Sequence, residues 1–266
     1  MKISVIVPTY KPQAYLWECL DSIYNQTFPK NDYELILVLN GCNEPFNAQI
    51  KEWLSKHSDL QVQYFQTDEG GVSNARNIAL DNERGEYITF IDDDDYVSPV
   101  YLQQLYSKAD HSTVSLCYPY AFNDGNPGIQ LPYSLTCAYD KWADKLPVKL
   151  SSTVRKFFSG PCMKLIPMGF IHGRRFNPAF SNGEDSLFMF LISDKFDKFA
   201  FTDRAAVYYR RYRTGSAMTS YRSRREIIRN SFLIMWEYTS IFFRSIPRYN
   251  FGFYITRILA SIRSMI

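Results

Sequence analysis

Apolar residues in the first third of the chain switch between two spacings. Ile3–Val7 is a short apolar run stopped by Pro8, and Ala14–Gln26 follows with Tyr15, Cys19 and Ile23 at helical spacing, Leu16, Leu20 and Tyr24 beside them. The first predicts a strand and the second a helix. Glu34–Leu39 reads as a second apolar strand, and Asn40-Gly41 after it is a turn signal. Phe46–Lys56 predicts a helix, Gln61–Gln66 a weakly alternating strand, Val72–Leu80 a helix entered through Gly70-Gly71, and Tyr87–Ile91 a fourth strand. Such alternation requires crossover connections, hence a largely parallel sheet with helices on both faces. Ligands of such sheets bind beyond the carboxyl ends of the strands. Pro8-Thr9-Tyr10, Asn40-Gly41 and Asp92–Asp95 all fall at that edge.

Beyond Pro99 the pattern loosens. Val100–Lys108 and Ser186–Ser193 predict helices, Asn123–Pro132 a loop and Ala205–Tyr209 a short strand, while Lys141–Phe158 gives mixed signals. From Arg224 the chain is aromatic and basic, broken at Pro247, and it contains no internal repeat. A length of 266 residues suits one large domain, or one with an appendage, and 46% hydrophobic residues supply a sizeable core. The net charge of +3 is too small to imply a nucleic-acid partner. Its distribution is uneven: Arg222–Ile266 holds eight arginines, no lysine and two acids, so the segment is near +6 and the remainder near −3. Five cysteines without paired spacing argue against a disulfide framework or zinc site and fit a reducing compartment. No run approaches the roughly 18 uninterrupted apolar residues of a spanning helix. The expected location is cytoplasmic, peripheral on the inner face of the membrane.

The sharpest chemical feature is Asp92-Asp93-Asp94-Asp95, directly after the strand Tyr87–Ile91. Adjacent carboxylates repel one another and are comfortable only when solvated, protonated or neutralised by a cation. Hard oxygen donors suit Mg²⁺ or Mn²⁺, which also bind diphosphate oxygens. A solvated acidic loop capping a helix at Ser98-Pro99 is the plainer alternative. An EF-hand is excluded by the absence of its spacing, and the first strand ends in Pro8-Thr9-Tyr10 without an acid.

Several segments, in order, resemble a family 2 glycosyltransferase of the GT-A fold. They are Ser4–Tyr10, Leu20–Thr27, Glu34–Val38 with Asn40-Gly41, Gly71–Asn77, Gly85–Tyr96, then Lys164-Leu165, Phe176, Glu184-Asp185, and Tyr208-Tyr209-Arg210 with Ser216. Each is weak alone; together and in order they are specific. The resemblance implies a mixed, mostly parallel, Rossmann-like α/β sheet flanked by helices. It also implies a nucleotide-diphosphate-sugar donor, a divalent metal (Mn²⁺ or Mg²⁺) and inversion at the anomeric carbon. Pro8, Thr9 and Tyr10 would line the nucleotide pocket, Asn40 would read the base, and Arg76 would approach base or phosphates. Asp92 and Asp93 would hold ribose or water-bound metal, and Asp94, with Asp92, would ligate the metal. Asp185 would be the general base with Glu184 beside it orienting the acceptor, and Arg210, Arg211 or Arg213 would neutralise diphosphate. The second-strand turn departs from the family's usual acidic, hydroxyl-rich form, since Asn40 offers both donor and acceptor. An alternative for Arg76 is a helix-surface pair with Glu69 or Asp81.

This reading divides the chain into a GT-A domain at 1–221 (nucleotide-sugar half 1–98, acceptor half 99–221) and a helical basic, aromatic extension at 222–266. The extension is expected either to bind an anionic membrane surface or to pack on the domain or a second subunit as a homo-oligomer. A saccharide acceptor, lipid-linked, would suit the first. The expected function is transfer of a sugar from a nucleotide diphosphate, UDP foremost, in surface polysaccharide synthesis. A catalytically silent scaffold subunit is the rival. A nucleotidyltransferase is disfavoured because Tyr10-Lys11-Pro12-Gln13 lacks a glycine-rich triphosphate loop.

Overall fold

The computed structural model describes residues 1–145, 150, 154–213 and 223–265. Ser216 and the expected domain boundary at 221/222 lie outside the described residues, as does part of Lys141–Phe158.

Four strands run parallel: β1 (Ile3–Thr9), β2 (Tyr33–Asn40), β3 (Val62–Thr67) and β4 (Tyr87–Phe90), with β1 between β2 and β4. β1 and β2 are buried along their whole length, which is why they read as continuous apolar runs. The crossover helices are α1 (Ala14–Tyr24), α2 (Phe46–Lys56) and α3 (Val72–Asn82). Pro8 does not stop the first strand, contrary to the sequence reading. Pairing with β4 ends at Ile6, so Pro8 is paired only with Val38 of β2, where its missing N–H leaves no ladder bond unmade on the other side.

The sheet is completed by β8 (Lys164–Pro167) antiparallel to β4, β6 (Thr113–Leu116) antiparallel to β8, and β9 (Lys198–Phe201) parallel to β6. Its order is β3-β2-β1-β4-β8-β6-β9. These four-residue strands are too short to carry a period, and the sequence did not reveal them. A second sheet, β5-β10-β7, joins β5 (Tyr96–Val97), β10 (Val207–Tyr212) and β7 (Tyr118–Asn123). The strand expected at Ala205–Tyr209 therefore lies further on, through the arginines, because β5 and β7 pair with it on both sides. The remaining helices before the C-terminal pair are α4 (Tyr101–Ser107), α5 (Ser134–Trp142), α6 (Met168–Ile171) and α7 (Glu184–Leu191).

Side chains alternate across the main sheet and fill two layers. Val5, Val7, Leu35 and Leu37 pack with Leu16, Leu20 and Ile23 of α1 on one face. Ile6, Ile36, Val38 and Phe90 pack with Ala75 and Ala79 of α3 and with Leu187 and Phe188 of α7 on the other.

That second layer continues into α8 (Arg224–Arg244) and α9 (Phe251–Arg263). Both begin on side-chain caps, Ser223 with Glu226 in a reciprocal capping box and Asn250 accepting from the Phe253 N–H. Phe190 of α7 stacks on Tyr249 and meets Tyr238 and Phe253 edge-on or tilted, so the extension packs on the domain. Its other face stays open: Phe232, Phe243 and Phe251 are exposed, and Trp236 is 71% accessible. No helix among the described residues is long and apolar enough to cross a membrane.

Candidate active site

The carboxyl ends of β1, β2 and β4 meet at one edge, and the acidic run leaves β4 there. Thr9 closes β1 and donates its hydroxyl to Asp93 Oδ2 at 2.5 Å. Tyr10, the next residue, is half exposed beside Gly41. Gly41 has φ +64°, and a Cβ on it would lie 2.8 Å from Gly70 Cα, so only glycine allows these two turns to touch. Asn40 is buried and spends its amide on main chain, donating to the Thr9 carbonyl at 2.8 Å and accepting from Gly71 N–H at 2.9 Å. Asn40, expected to read the base, here clamps β1 to the start of α3.

Arg76 on α3 organises the rest. It is 2% exposed, and its guanidinium donates to Asp185 Oδ1 at 2.5 Å and to Asp92 Oδ1 at 3.0 Å. The alternative pair with Glu69 or Asp81 is not formed; Asp81 is held by Arg175. Phe176 lies under the guanidinium, 5.2 Å from ring centre to Cζ. Lys164 is buried and donates to the Gly160 and Cys162 carbonyls, each at 2.6 Å, holding the loop beside Asp185. The widely separated Phe176 and Asp185 of the sequence series thus converge on one arginine, with Lys164 holding the loop beside Asp185.

Ion pairing also secures the acidic run. Arg213 donates to Asp94 Oδ2 at 2.7 Å and lies over the Tyr15 ring. Arg211 is a brace: its N–H donates to Asp95 Oδ1, its Nε to the Asp94 carbonyl, and its other nitrogens reach Asp124 and Glu18. Arg210 donates to the Tyr133 hydroxyl at 3.0 Å. Of the three arginines expected near diphosphate, Arg213 pairs with the carboxylate of Asp94, a candidate metal ligand. Tyr208, which the sequence reading placed in a strand and in the Tyr208-Tyr209-Arg210 segment without a role of its own, is fully buried under the run; its hydroxyl accepts from the Asp92 N–H at 3.1 Å and bonds the Asp95 carboxyl.

Crowding shows in the protonation equilibria. Burial pushes the Asp93 carboxyl up to about 7, with Asp94 and Asp92 adding to it and Thr9 opposing. Asp94 is raised by burial and by Asp92, against Arg213, and Asp95 well raised by burial and its acidic neighbours. Asp185 is raised by burial, which outweighs the opposing Arg76. For Arg76 burial acts to lower, but Asp185 and Asp92 reverse it and hold the guanidinium firmly charged. Burial brings Lys164 down to about 8.

Asp185 and Glu184 open α7, where helix N-terminal N–H groups favour negative charge. Gly183 before them takes φ +84°, and a Cβ there would meet Ile234 of α8 at 2.4 Å. Among the described residues no group of three or more His, Cys, Asp or Glu is disposed to hold a metal ion. Asp92 and Asp94 nevertheless supply hard oxygen donors, each with only one oxygen taken by an arginine. That set fits a cation completing its shell with diphosphate oxygens and water, as Mg²⁺-type sites do.

A parallel sheet edge thus carries a paired acidic run and, across Arg76, a helix-borne carboxylate. Residues 4–168 match the profile of Glycosyl transferase family 2, and the chain belongs to that family. The poly(ribitol-phosphate) beta-N-acetylglucosaminyltransferase TarS of Staphylococcus aureus is 38% identical over 118 residues, 44% of this chain and 20% of that protein. The crystal structure of S. aureus TarS 1–349 with UDP-GlcNAc superposes with a TM-score of 0.75 at 25% identity, over 99% of this chain and 72% of that one. A Campylobacter jejuni GalNAc(5)-diNAcBac-PP-undecaprenol beta-1,3-glucosyltransferase is 29% identical over 198 residues, 73% of this chain and 60% of that protein. The match to TarS thus spans about a fifth of that curated relative's length.

Proposed function

We propose that the chain transfers a sugar from a UDP-sugar to a hydroxyl of a saccharide acceptor with inversion, in the assembly of a surface polysaccharide. The observation that carries this is the double grip of Arg76, which ties the acidic run at Asp92 to Asp185, 109 residues further along than the arginine. Donor-side and base-side carboxylates are thereby fixed in one frame. The TarS complex with UDP-GlcNAc and the names of the relatives support the donor class.

In this reading the nucleotide lies over Thr9, Tyr10 and the Gly41–Gly70 contact. Arg76 occupies Oδ1 of Asp185 and leaves Oδ2 to take the proton of the acceptor hydroxyl. The freed oxygen attacks the anomeric carbon as the bond to the diphosphate breaks, and the electron pair leaves on the diphosphate. Arg213 meets the charge developing there. Burial raises the basicity of Asp185 toward that needed for the proton transfer. Glu184 orients the acceptor beside it. Asp92 and Asp94 would hold Mn²⁺ or Mg²⁺, which when bound supplies Lewis-acid stabilisation of the leaving diphosphate. The division into donor half, acceptor half and extension follows the same logic, and the exposed aromatic face of α8 and α9 with its arginines suits a membrane-borne, lipid-linked acceptor.

Calorimetric titration of UDP and GDP, with and without Mn²⁺, tests the donor site. UDP binding that requires Mn²⁺ and disappears in Asp94→Ala is the expected result. A folded protein that binds neither nucleotide with Mn²⁺ present overturns the assignment.

A further inference from the structure

A cavity of about 840 Å³ lies between the start of α7 and the α8–α9 pair. Its volume is that of a small-molecule site. None of the residues assigned above to donor, metal or base lines it, yet Gly183 and Ser186, which do, flank Glu184-Asp185 on both sides. One wall is tied directly to α7, because the Ser186 and Tyr238 hydroxyls are hydrogen-bonded at 2.7 Å.

Two properties of the lining point to a ligand class. Ser181, Asn182, Asn230, Ser231 and Ser261 line the cavity together with Ile227 and Ile234; the Asn230 amide donates to the Asn182 carbonyl, Ser231 bonds Ser264, and Ser261 donates to the Arg257 carbonyl. Hydroxyl and amide oxygens with remaining acceptor capacity, set among C–H surfaces, match a sugar ring with its hydroxyl edge and apolar faces. The second property is charge. Arg229 and Arg257 reach the cavity against one acid, Glu226, and that acid is engaged in capping α8 through Ser223. Arg257 is 7% exposed, and its guanidinium donates to Ser159 Oγ and to the carbonyls of Arg155 and Phe158, with no carboxylate partner among the described residues. Arg229, too, makes no ion pair among the described residues. A buried cation satisfied only by neutral oxygens keeps its field, and a low-dielectric wall carries that field into the cavity.

We propose that this cavity seats a negatively charged saccharide segment of the acceptor, remote from the hydroxyl that receives the sugar. The assignment rests on the glycosyl-transfer reading and extends it from the reacting centre to the acceptor chain. Adjacency to the first turn of α7 gives it a role: a segment held there is fixed relative to Asp185.

The test is a methyl NMR titration of the full chain carrying ¹³C at isoleucine δ1, since Ile227 and Ile234 report from inside the cavity. The probes are glucose 6-phosphate, glucuronate, glucose and inorganic phosphate, with vesicles containing phosphatidylglycerol as a separate arm. UDP binding with Mn²⁺ is measured on each sample. The expected result is saturable shifts of both methyls with one or both charged sugars, which also names the anion. Those shifts weaken at least fivefold in Arg229→Glu and vanish in Ala260→Trp, whose ring fills the rim, while UDP binding persists. Shifts as strong with glucose or with inorganic phosphate alone overturn the charged-saccharide assignment, as do shifts produced only by vesicles. Intact UDP binding without any methyl shift sinks the cavity; methyl shifts in a chain that binds no UDP sink the transferase reading instead.

Discussion

Arg76 and Arg257 are both buried cations, and the molecule uses them in opposite ways. Arg76 sits between two carboxylates, which raise its pKa; Arg257 sits among neutral oxygens, and burial lowers its pKa. The first is a neutralised pair of ion pairs at the sheet edge. The second is a charge kept inside a helical pair, stacked on Phe253 at 4.6 Å and used to dock α9 on residues 154–159. A buried arginine is thus a positioning device where acids converge on it, and a packing device with residual field where they do not.

That contrast can be broken by substitution. Arg76→Met leaves Asp92 and Asp185, whose side chains are 42% and 30% exposed, partly screened by water, so a loss of about 3 kcal/mol, the low end for a broken buried pair, is expected in urea unfolding. Sugar transfer should fall with it, and Arg76→Lys should restore little because one ammonium cannot reproduce the two-carboxylate fork. A change in stability below about 1 kcal/mol for Arg76→Met would show that the pair contributes much less than a buried ion pair should.

Asp185→Asn keeps the shape and removes the proposed base. Transfer is expected to drop by about 10²–10⁴-fold, the usual contribution of general base catalysis. UDP affinity measured by calorimetry should be unchanged, and equal losses in both would place Asp185 in donor binding instead.

Arg257→Met removes a charge that pairs with no acid among the described residues, so its cost reduces to the unmet carbonyls of Arg155 and Phe158 and the Ser159 hydroxyl, about 1–3 kcal/mol. Unfolding curves of the two methionine variants, measured side by side, should therefore rank Arg76 above Arg257. The reverse order would mean that the helical dock, and not the acid cluster, holds the fold.

The smallest effect concerns pH. Asp93 has a folded-state pKa of about 7, above its unfolded value. The folded state then binds the proton more tightly, so the stabilisation is complete at acid pH and is lost as pH rises through about 7. Metal-free protein should lose thermal stability over that interval and then level off. Asp93→Asn should flatten the profile, and a wild-type profile already flat from pH 5 to 8 would contradict the assigned burial.

Much of this was legible beforehand, for identifiable reasons. Strands buried on both faces declare themselves as apolar runs, and the crossover rule then makes β1, β2 and β4 parallel and brings their ends to one edge. The acidic run at Asp92–Asp95 and the carboxylates at the start of α7 were visible because charge against an apolar background is a strong local signal. β6, β8 and β9 were not, since a four-residue strand carries no period and exists by pairing. The role of Lys164 was hidden likewise; its partners are main-chain carbonyls, which every sequence has.

The sequence alone thus determined the parallel half of the sheet, the edge where chemistry gathers and the residue types available there, because local periodicity and handed connections suffice for those. Only the tertiary structure decided which residues meet. It gave Asn40 its clamp between β1 and α3 and made Arg76 a bridge between Asp92 and Asp185 in place of the alternative surface pair. It also made the C-terminal extension at once a docked pair and an exposed aromatic face. Hydrogen bonds and ion pairs between distant segments depend on where the whole chain closes, and no local pattern encodes that distance.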